Sequence, residues 1–419
     1  MNKVLWGLVL YFIAGSVFAE AVMTITTSST DVPVTRSGST SSVVFNVLNS
    51  STTTLTQLTV DPDFGVPSGV SGITTSADTC TGATLSPHGV CTFTVNIQGN
   101  TTLPNQFFLS PRVCAFNNSV CSQPAKADRP EVIVIRQVYV ANAGGNSISV
   151  CEINSTNNQI TACVNAFSGD PLDAPVGLMM TSDGKQVYVA NSGNGVIALC
   201  TVSDDGTFST CEGTGIVLAS PSDVELNPAE TFAYITYPSA STVIVCEVAD
   251  DGTLNTCTST ANDLNGPSSI VFNNAGTIAY ITNANNNTVL VCTADVTSGA
   301  LSGCTSTGSG FSAPQSIDLN GNNKLSYIAN YLSITNTISS CQISDLTTGV
   351  FSSCAVSNQN ITNPFGLVLS PNNNILYVTQ PSSNSIFKCN VNTGNGVLSD
   401  CGVTFSGIEL SSPMGIVIN

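Results

Sequence analysis

A tyrosine held in a short apolar strand recurs six times in this chain, at Tyr139, Tyr188, Tyr234, Tyr280, Tyr327 and Tyr377, with intervals of 49, 46, 46, 47 and 50 residues. The copies read Gln-Val-Tyr139-Val-Ala-Asn, Gln-Val-Tyr188-Val-Ala-Asn, Phe-Ala-Tyr234-Ile-Thr-Tyr, Ile-Ala-Tyr280-Ile-Thr-Asn, Leu-Ser-Tyr327-Ile-Ala-Asn and Ile-Leu-Tyr377-Val-Thr-Gln. Each is followed by a second strand ending in Cys, then a turn and a third strand with another Cys. A Pro-led apolar strand comes next, as in Pro175-Val-Gly-Leu or Pro413-Met-Gly-Ile. Four short strands per period of about 45 residues are the signature of a β-propeller blade. A helical solenoid is excluded, because the segments are short, rich in Val, Ile, Thr and Tyr, and cut by Gly, Asn and Pro.

The phase of the repeat predicts how a ring would close. The tail begins on a Tyr strand and ends at Asn419 on a Pro-led strand. If the Pro-led strand is innermost, Ile416 to Asn419 completes the first blade, whose other strands lie around Tyr139, Val150 and Thr161. The count predicts an all-β chain with a six-bladed propeller over 132–419 in 3+1 closure. A seventh blade would need residues that the tail does not contain. The segment Val132-Ile-Val-Ile135 is too short for a blade and leads into the first strand.

The Tyr-Val-Ala-Asn and Tyr-Ile-Thr-Asn strands, followed by strands of the Asn-Thr-Val type, resemble the YVTN family of β-propeller repeats over about residues 131–419. That family is similar to secreted lactonase-like propellers, and the resemblance implies that function would use polar and charged groups near the central channel.

Sixteen cysteines divide into local pairs. Twelve lie in the repeat: Cys151 with Cys163, Cys200 with Cys211, Cys246 with Cys257, Cys292 with Cys304, Cys341 with Cys354 and Cys389 with Cys401, each pair flanking a turn. They therefore fall on adjacent antiparallel strands, at a spacing a disulfide accepts. Such a bond pins the outermost strand, which has a neighbour on one side only. Structural zinc sites place Cys pairs two to four residues apart, and with a single His in the chain a mixed site is nearly excluded. Cys80 with Cys91 and Cys114 with Cys121 are two further expected pairs.

Residues 1–19 combine Lys3, an apolar run from Val4 to Ala14 and the exit Val17-Phe-Ala19, the pattern of a secretory signal peptide. Cleavage after Ala19 or after Ala21 fits. The run is shorter than the ~20 residues a spanning helix needs. An exported chain (bacterial periplasm, cell surface or medium) meets an oxidising environment, which suits the cysteines. Residues 22–125 lack the period. Their alternating strands, such as Ser42-Val-Val-Phe-Asn-Val47 and Cys91-Thr-Phe-Thr-Val-Asn96, and turns at Asp61-Pro62, Pro67-Ser-Gly69 and Pro87-His-Gly89, predict an immunoglobulin-like β-sandwich. The segment also resembles the Ig-like domains of bacterial surface and periplasmic proteins. Residues 126–131, bounded by prolines, read as the linker.

Charge bears on function. Only 8% of residues are charged and the formal net charge is −17, which opposes nucleic acid and anionic lipid. Residues 137–419 hold 19 acidic residues and three basic ones, Lys185, Lys324 and Lys388, with neither Arg nor His. General base work usually draws on His or a partnered carboxylate, and oxyanion or phosphate sites on Arg or Lys. The channel mouth should be lined by the residues two after each Pro, namely Gly177, Asp223, Ser269, Ser316, Gly366 and Gly415. Met179, Glu225, Val271, Asp318, Val368 and Val417 follow with the same strand parity. Asp223, Glu225, Ser269, Ser316 and Asp318 are thus the candidate binding residues, read either as a cation site or carboxylate pair or as a solvated polar lining. The second reading is favoured, because Asp318 lies two blades from the other two acids. Asp204-Asp205-Gly206 and Asp250-Asp251-Gly252 lack the ligand series of a calcium loop and suit tight turns. His88 sits in a turn, and sequons such as Asn49-Ser-Ser51 and Asn154-Ser-Thr156 are expected by chance.

These readings favour a non-enzymatic, monomeric binding or scaffold protein without a cofactor or metal, recognising protein or glycan through propeller-face loops. The alternative is a lactonase-like hydrolase with a carboxylate-only site in the channel, and a third reading is a structural role in a surface layer or adhesion.

Overall fold

The computed structural model describes residues 23–419 apart from 29–33, 37–39, 63–71, 100–105, 263, 333–336 and 358–360. The signal segment and the turn at Pro67-Ser-Gly69 lie outside the described residues. Among the described residues, apart from three single 3-10 turns, the regular elements are all strands, arranged in eight sheets.

Five of these sheets have four strands each and follow the repeat directly, in spatial order equal to chain order. The first, for example, runs Pro175–Met180, Gln186–Asn191, Val196–Val202 and Phe208–Val217, so the Pro-led strand is at one edge and the second Cys strand at the other. A further sheet joins the two ends of the repeat. Its long strand Glu131–Asn142 pairs with Ser147–Ile153, which pairs with Ile160–Ser168, and on its other side with the final strand Pro413–Ile418. The registers Val138↔Ile418, Tyr139↔Val417 and Val140↔Ile416 fix that junction. Asn419 then clamps it, its backbone N–H donating to the Gln137 carbonyl (3.1 Å) while its side-chain oxygen accepts from the Gln137 N–H (2.7 Å). Each Pro-led strand touches the Pro-led strand of the next sheet. Pro413–Ile418 touches both Leu367–Leu369 and Pro175–Met180, so the succession closes on itself around an axis. The architecture is propeller-like.

The Tyr repeat is explained by the seams between sheets. All six tyrosines are at most 1% exposed. Tyr188 donates its hydroxyl to the Gly252 carbonyl (2.6 Å), Tyr280 to that of Gly349 (2.7 Å) and Tyr377 to that of Asn158 (2.9 Å). In every case the acceptor belongs to the outer hairpin of the following sheet, and the last of these bonds runs from the final sheet to the first. Aromatic stacking reinforces the seams, with Tyr139 on Phe208 and Tyr280 on Phe351 at centroid distances of 5.4 and 5.3 Å. Burial pushes the Tyr188 hydroxyl up to about 12, with the charges of Glu230 and Asp251 adding to it, so it remains a donor at any physiological pH. Gly349 has φ +69°, and a Cβ there would stand 2.6 Å from the Tyr280 hydroxyl. Only glycine supplies both the left-handed turn and the space.

All sixteen cysteines are disulfide-bonded, in the eight pairs expected from the sequence. In the N-terminal region Cys80 bonds to Cys91 and Cys114 to Cys121. In the repeat Cys151 bonds to Cys163, Cys200 to Cys211 and Cys246 to Cys257. Cys292 bonds to Cys304, Cys341 to Cys354 and Cys389 to Cys401. The Cα separations run from 4.0 to 5.1 Å, and no cysteine is free. Each bond in the repeat ties the third strand of a sheet to the exposed fourth. Cys151 and Cys163 stand directly opposite each other in the ladder, as do Cys200 and Cys211, and Cys341 and Cys354. At Cys246 with Cys257, Cys292 with Cys304, and Cys389 with Cys401 the ladder register shifts at the bond itself. A loop of this length contributes about 3 kcal/mol in the chain-entropy treatment. Bonds of this number belong to an oxidising, non-cytoplasmic location. No helix of the described residues is long and apolar enough to cross a membrane.

The N-terminal third forms a four-stranded sheet ordered Met23–Thr27, Thr40–Asn49, Val90–Gln98, Ile73–Ser76, and a three-stranded one of Thr59–Asp61, Arg112–Ala115 and Val120–Ser122. Its core holds Phe45 stacked on Phe93 at 5.3 Å. The strand Glu131–Asn142 runs through the boundary expected at 131/132. Glu131 to Ile135 pair with Gln106–Phe108 and Val34–Arg36 of the N-terminal region, and Val132 and Val134 are buried in that region's core. Only from Arg136 onward does the strand pair within the ring. The expected linker is one 3-10 turn, Lys126–Asp128, followed directly by this shared strand.

Two outcomes are expected of these seams and staples. Tyr280→Phe should lower unfolding stability by about 1–2 kcal/mol, since it strands the Gly349 carbonyl, and Gly349→Ala by more than that, both read by denaturant titration. The denatured, unreduced protein should titrate no thiol.

Candidate functional site: an acidic axial channel

The Pro-led strands surround a cavity of about 190 Å³ on the ring axis. All twelve positions selected by strand parity line it, because alternate side chains of an inner strand point to the axis. Its wall has two unlike halves. Gly177 and Met179, Gly366 and Val368, and Gly415 and Val417 form an apolar half, in which the inner strands pack so closely that a Cβ on Gly415 would stand 2.1 Å from the Val176 carbonyl oxygen. The other half is a continuous polar arc from three successive sheets, with Asp223 and Glu225, then Ser269, then Ser316 and Asp318. Phe365, seated edge-on against Tyr331 (5.8 Å), adds an aromatic surface to the lining.

Two of the carboxylates satisfy backbone donors on the inner edges of the sheets. Asp223 accepts from the N–H of Val224 (3.0 Å) and, across the seam, of Ile270 (3.3 Å). Asp318 does the same with Leu319 (2.7 Å) and Leu369 (2.8 Å), and the Ser316 hydroxyl accepts from the Leu367 N–H (3.3 Å). Glu225 accepts no hydrogen bond among the described residues. Burial raises all three acids. Asp223 is pushed up to about 7 and Asp318 to about 6, in both cases against the opposing pull of their hydrogen bonds. Glu225 has no such offset. Burial, followed by the charges of Asp223 and Asp318, holds its proton well above the usual carboxylate range. Sequence distance is therefore misleading here. Asp318 is two sheets from the other acids, yet the glycine-narrowed channel places all three in one poorly solvated space where its charge reaches Glu225.

Among the described residues no group of three or more His, Cys, Asp or Glu is arranged to hold a metal ion. The Asp-Gly turns are engaged internally, Asp205 accepting from Thr207 and Asp251 from Thr253, each through backbone and hydroxyl. What the channel offers is acid–base chemistry, with carboxyls poised near neutrality, the range in which a group can both accept and return a proton.

The family described as "Lactonase, 7-bladed beta-propeller" matches residues 110–262 and 241–414, well over half of the chain. The chain belongs to this lactonase family. The match overturns the expectation of a non-enzymatic protein. The lack of His and Arg in the repeat supports that expectation only while carboxyls keep their ordinary acidity, and burial brings them into the working range. The description names seven blades, against the six expected from the tyrosine count. Solved structures similar to this chain in fold include the following two. A Bacteroides fragilis protein named for 6-phosphogluconolactonase activity matches at TM-score 0.50 and 16% identity, covering 68% of this chain and 98% of that one. A nidogen/laminin complex matches at TM-score 0.53 and 16% identity, with the same two coverages. At these identities the likeness is one of fold. No curated protein matches the chain.

The raised acids couple the channel to stability. A carboxyl whose folded pKa lies above its unfolded value binds protons more tightly when folded, so its favourable contribution is present at low pH and is lost as pH rises through the folded pKa. For Asp318 and Asp223 that window runs from about 4 to about 7. The melting temperature of this lactonase-family propeller should therefore fall between pH 5 and pH 8. Glu225→Gln should flatten the fall, and an equally steep fall in that variant would contradict the coupling.

Proposed function

We propose that the protein is a hydrolase that opens a lactone ring in the axial channel. The observation that carries this reading is the convergence of Asp223, Glu225 and Asp318, all with raised pKa, on one small cavity of a lactonase-family chain. Asp318, whose carboxylate is stabilised by two N–H donors, serves as the general base. It takes a proton from a water whose oxygen bonds to the lactone carbonyl carbon. Glu225, without hydrogen-bond support, keeps its proton and donates to the developing oxyanion. The tetrahedral intermediate collapses by breaking the ring C–O bond, and the alkoxide receives its proton from a carboxylic acid of the cluster. Asp223 shares in the proton exchange with Glu225. A cavity of about 190 Å³ lies below the ~300 Å³ at which ligand sites usually begin, and so suits a substrate of one small ring.

We infer further that the ring contains six blades, closed by Pro413–Ile418, and that the N-terminal region is an Ig-like sandwich carried beside it. The chain acts after export to the periplasm, cell surface or medium, where its disulfides persist. These readings rest on the sheet succession, on the alternating strands of the N-terminal core and on the signal-like residues 1–19.

Glu225→Gln and Asp318→Asn should each lower kcat/KM for lactone hydrolysis by about 10²–10⁴-fold with the fold retained by circular dichroism. The rate should rise with pH through an apparent pKa near that of Asp318, about 6. Turnover unchanged in both variants would overturn the assignment.

A further inference from the structure

We propose that this channel selects uncharged lactones and rejects phosphorylated ones. The inference rests on the lactonase reading and names the substrate class of that same site. Three observations carry it. First, the lining among the described residues contains three acids and no Lys, Arg or His. Of the basic residues in the ring, Lys388 bonds outward to the Asn157 carbonyl (2.8 Å), and Lys185 and Lys324 stand outside the lining. Arg136 lies at the ring junction, beside the Asn419 carbonyl. Second, part of the other means of holding an anion, backbone N–H groups at the inner edges, is already engaged. The inner-edge donors of Ile270, Leu369 and Leu367 are occupied by Asp223, Asp318 and Ser316. A phosphate entering here would meet like charge and no cationic side chain to offset it. Third, what remains suits a neutral polyhydroxylated ring. The carboxyls and the Ser269 and Ser316 hydroxyls can hydrogen-bond to hydroxyl groups, and Phe365 provides an apolar face.

The same electrostatics act on the product. Hydrolysis converts a neutral ester into a carboxylic acid that ionises at neutral pH, so the reaction creates a negative charge inside a negative channel. Repulsion then favours release, and the product should inhibit weakly.

The test compares glucono-δ-lactone with its 6-phosphate on the full oxidised chain at pH 7, following acid release above the uncatalysed rate. A kcat/KM at least about a hundredfold higher for the uncharged lactone is expected, the size of one like-charge contact at a protein's effective dielectric. Raising ionic strength should narrow the gap through screening. Gluconate at ten times the KM of the lactone should leave the rate within a factor of two. Equal or faster hydrolysis of the phosphorylated lactone overturns this inference and leaves the lactonase reading standing, as does tight inhibition by gluconate. Hydrolysis of neither lactone overturns both.

Discussion

The buried tyrosine that fills each seam between sheets is the side chain on which the ring depends, and at Tyr188, Tyr280 and Tyr377 its hydroxyl also reaches the outer hairpin of the next sheet. A single sheet of four strands has two apolar faces and cannot bury either alone. The Tyr side chain fills the seam, and in three of the six its hydroxyl donates to a carbonyl across it. A buried hydroxyl without such a partner costs about 1–3 kcal/mol, so each bond also fixes how far the next hairpin sits from the strand. Tyr377 passes the same contact to Asn158 of the first sheet, so the seam that joins the two ends of the repeat is built like those at Tyr188 and Tyr280. The disulfides then secure the outer strands, which have a ladder neighbour on one side only.

The channel works against this economy. Its apolar half is drawn tight by glycines, and its polar half collects three acids whose ionisation the confined space opposes. Asp223 and Asp318 justify part of their presence structurally, since their oxygens occupy inner-edge N–H groups across the seams. Glu225 does not, as it bonds to nothing among the described residues and is pushed far from ordinary behaviour by burial and by its neighbours. An acid raised in this way without hydrogen-bond support costs stability rather than adding to it.

Much of this is legible in the sequence. The period places the strands, the Cys spacing places all eight bonds, and strand parity selects the twelve axial residues, because the side-chain alternation of a strand is fixed by its pleat. Two things are not legible. The shared strand Glu131–Asn142 reads as a linker and a lead-in, since nothing in Val132-Ile-Val-Ile135 distinguishes an apolar residue facing one core from the same residue facing another. The meeting of the three acids in one channel is hidden because Asp318 stands two sheets from Asp223 along the chain and because the repeat has no His or Arg to mark a site.

The sequence by itself determined the repeat, the staples and the identity of the axial residues, all of which follow from local periodicity and short-range pairing. Only the tertiary structure decided that the acids share one chamber and what protonation they hold there. Proximity across a closed ring and the loss of solvent around a carboxyl are properties of the assembled ring and of no single segment.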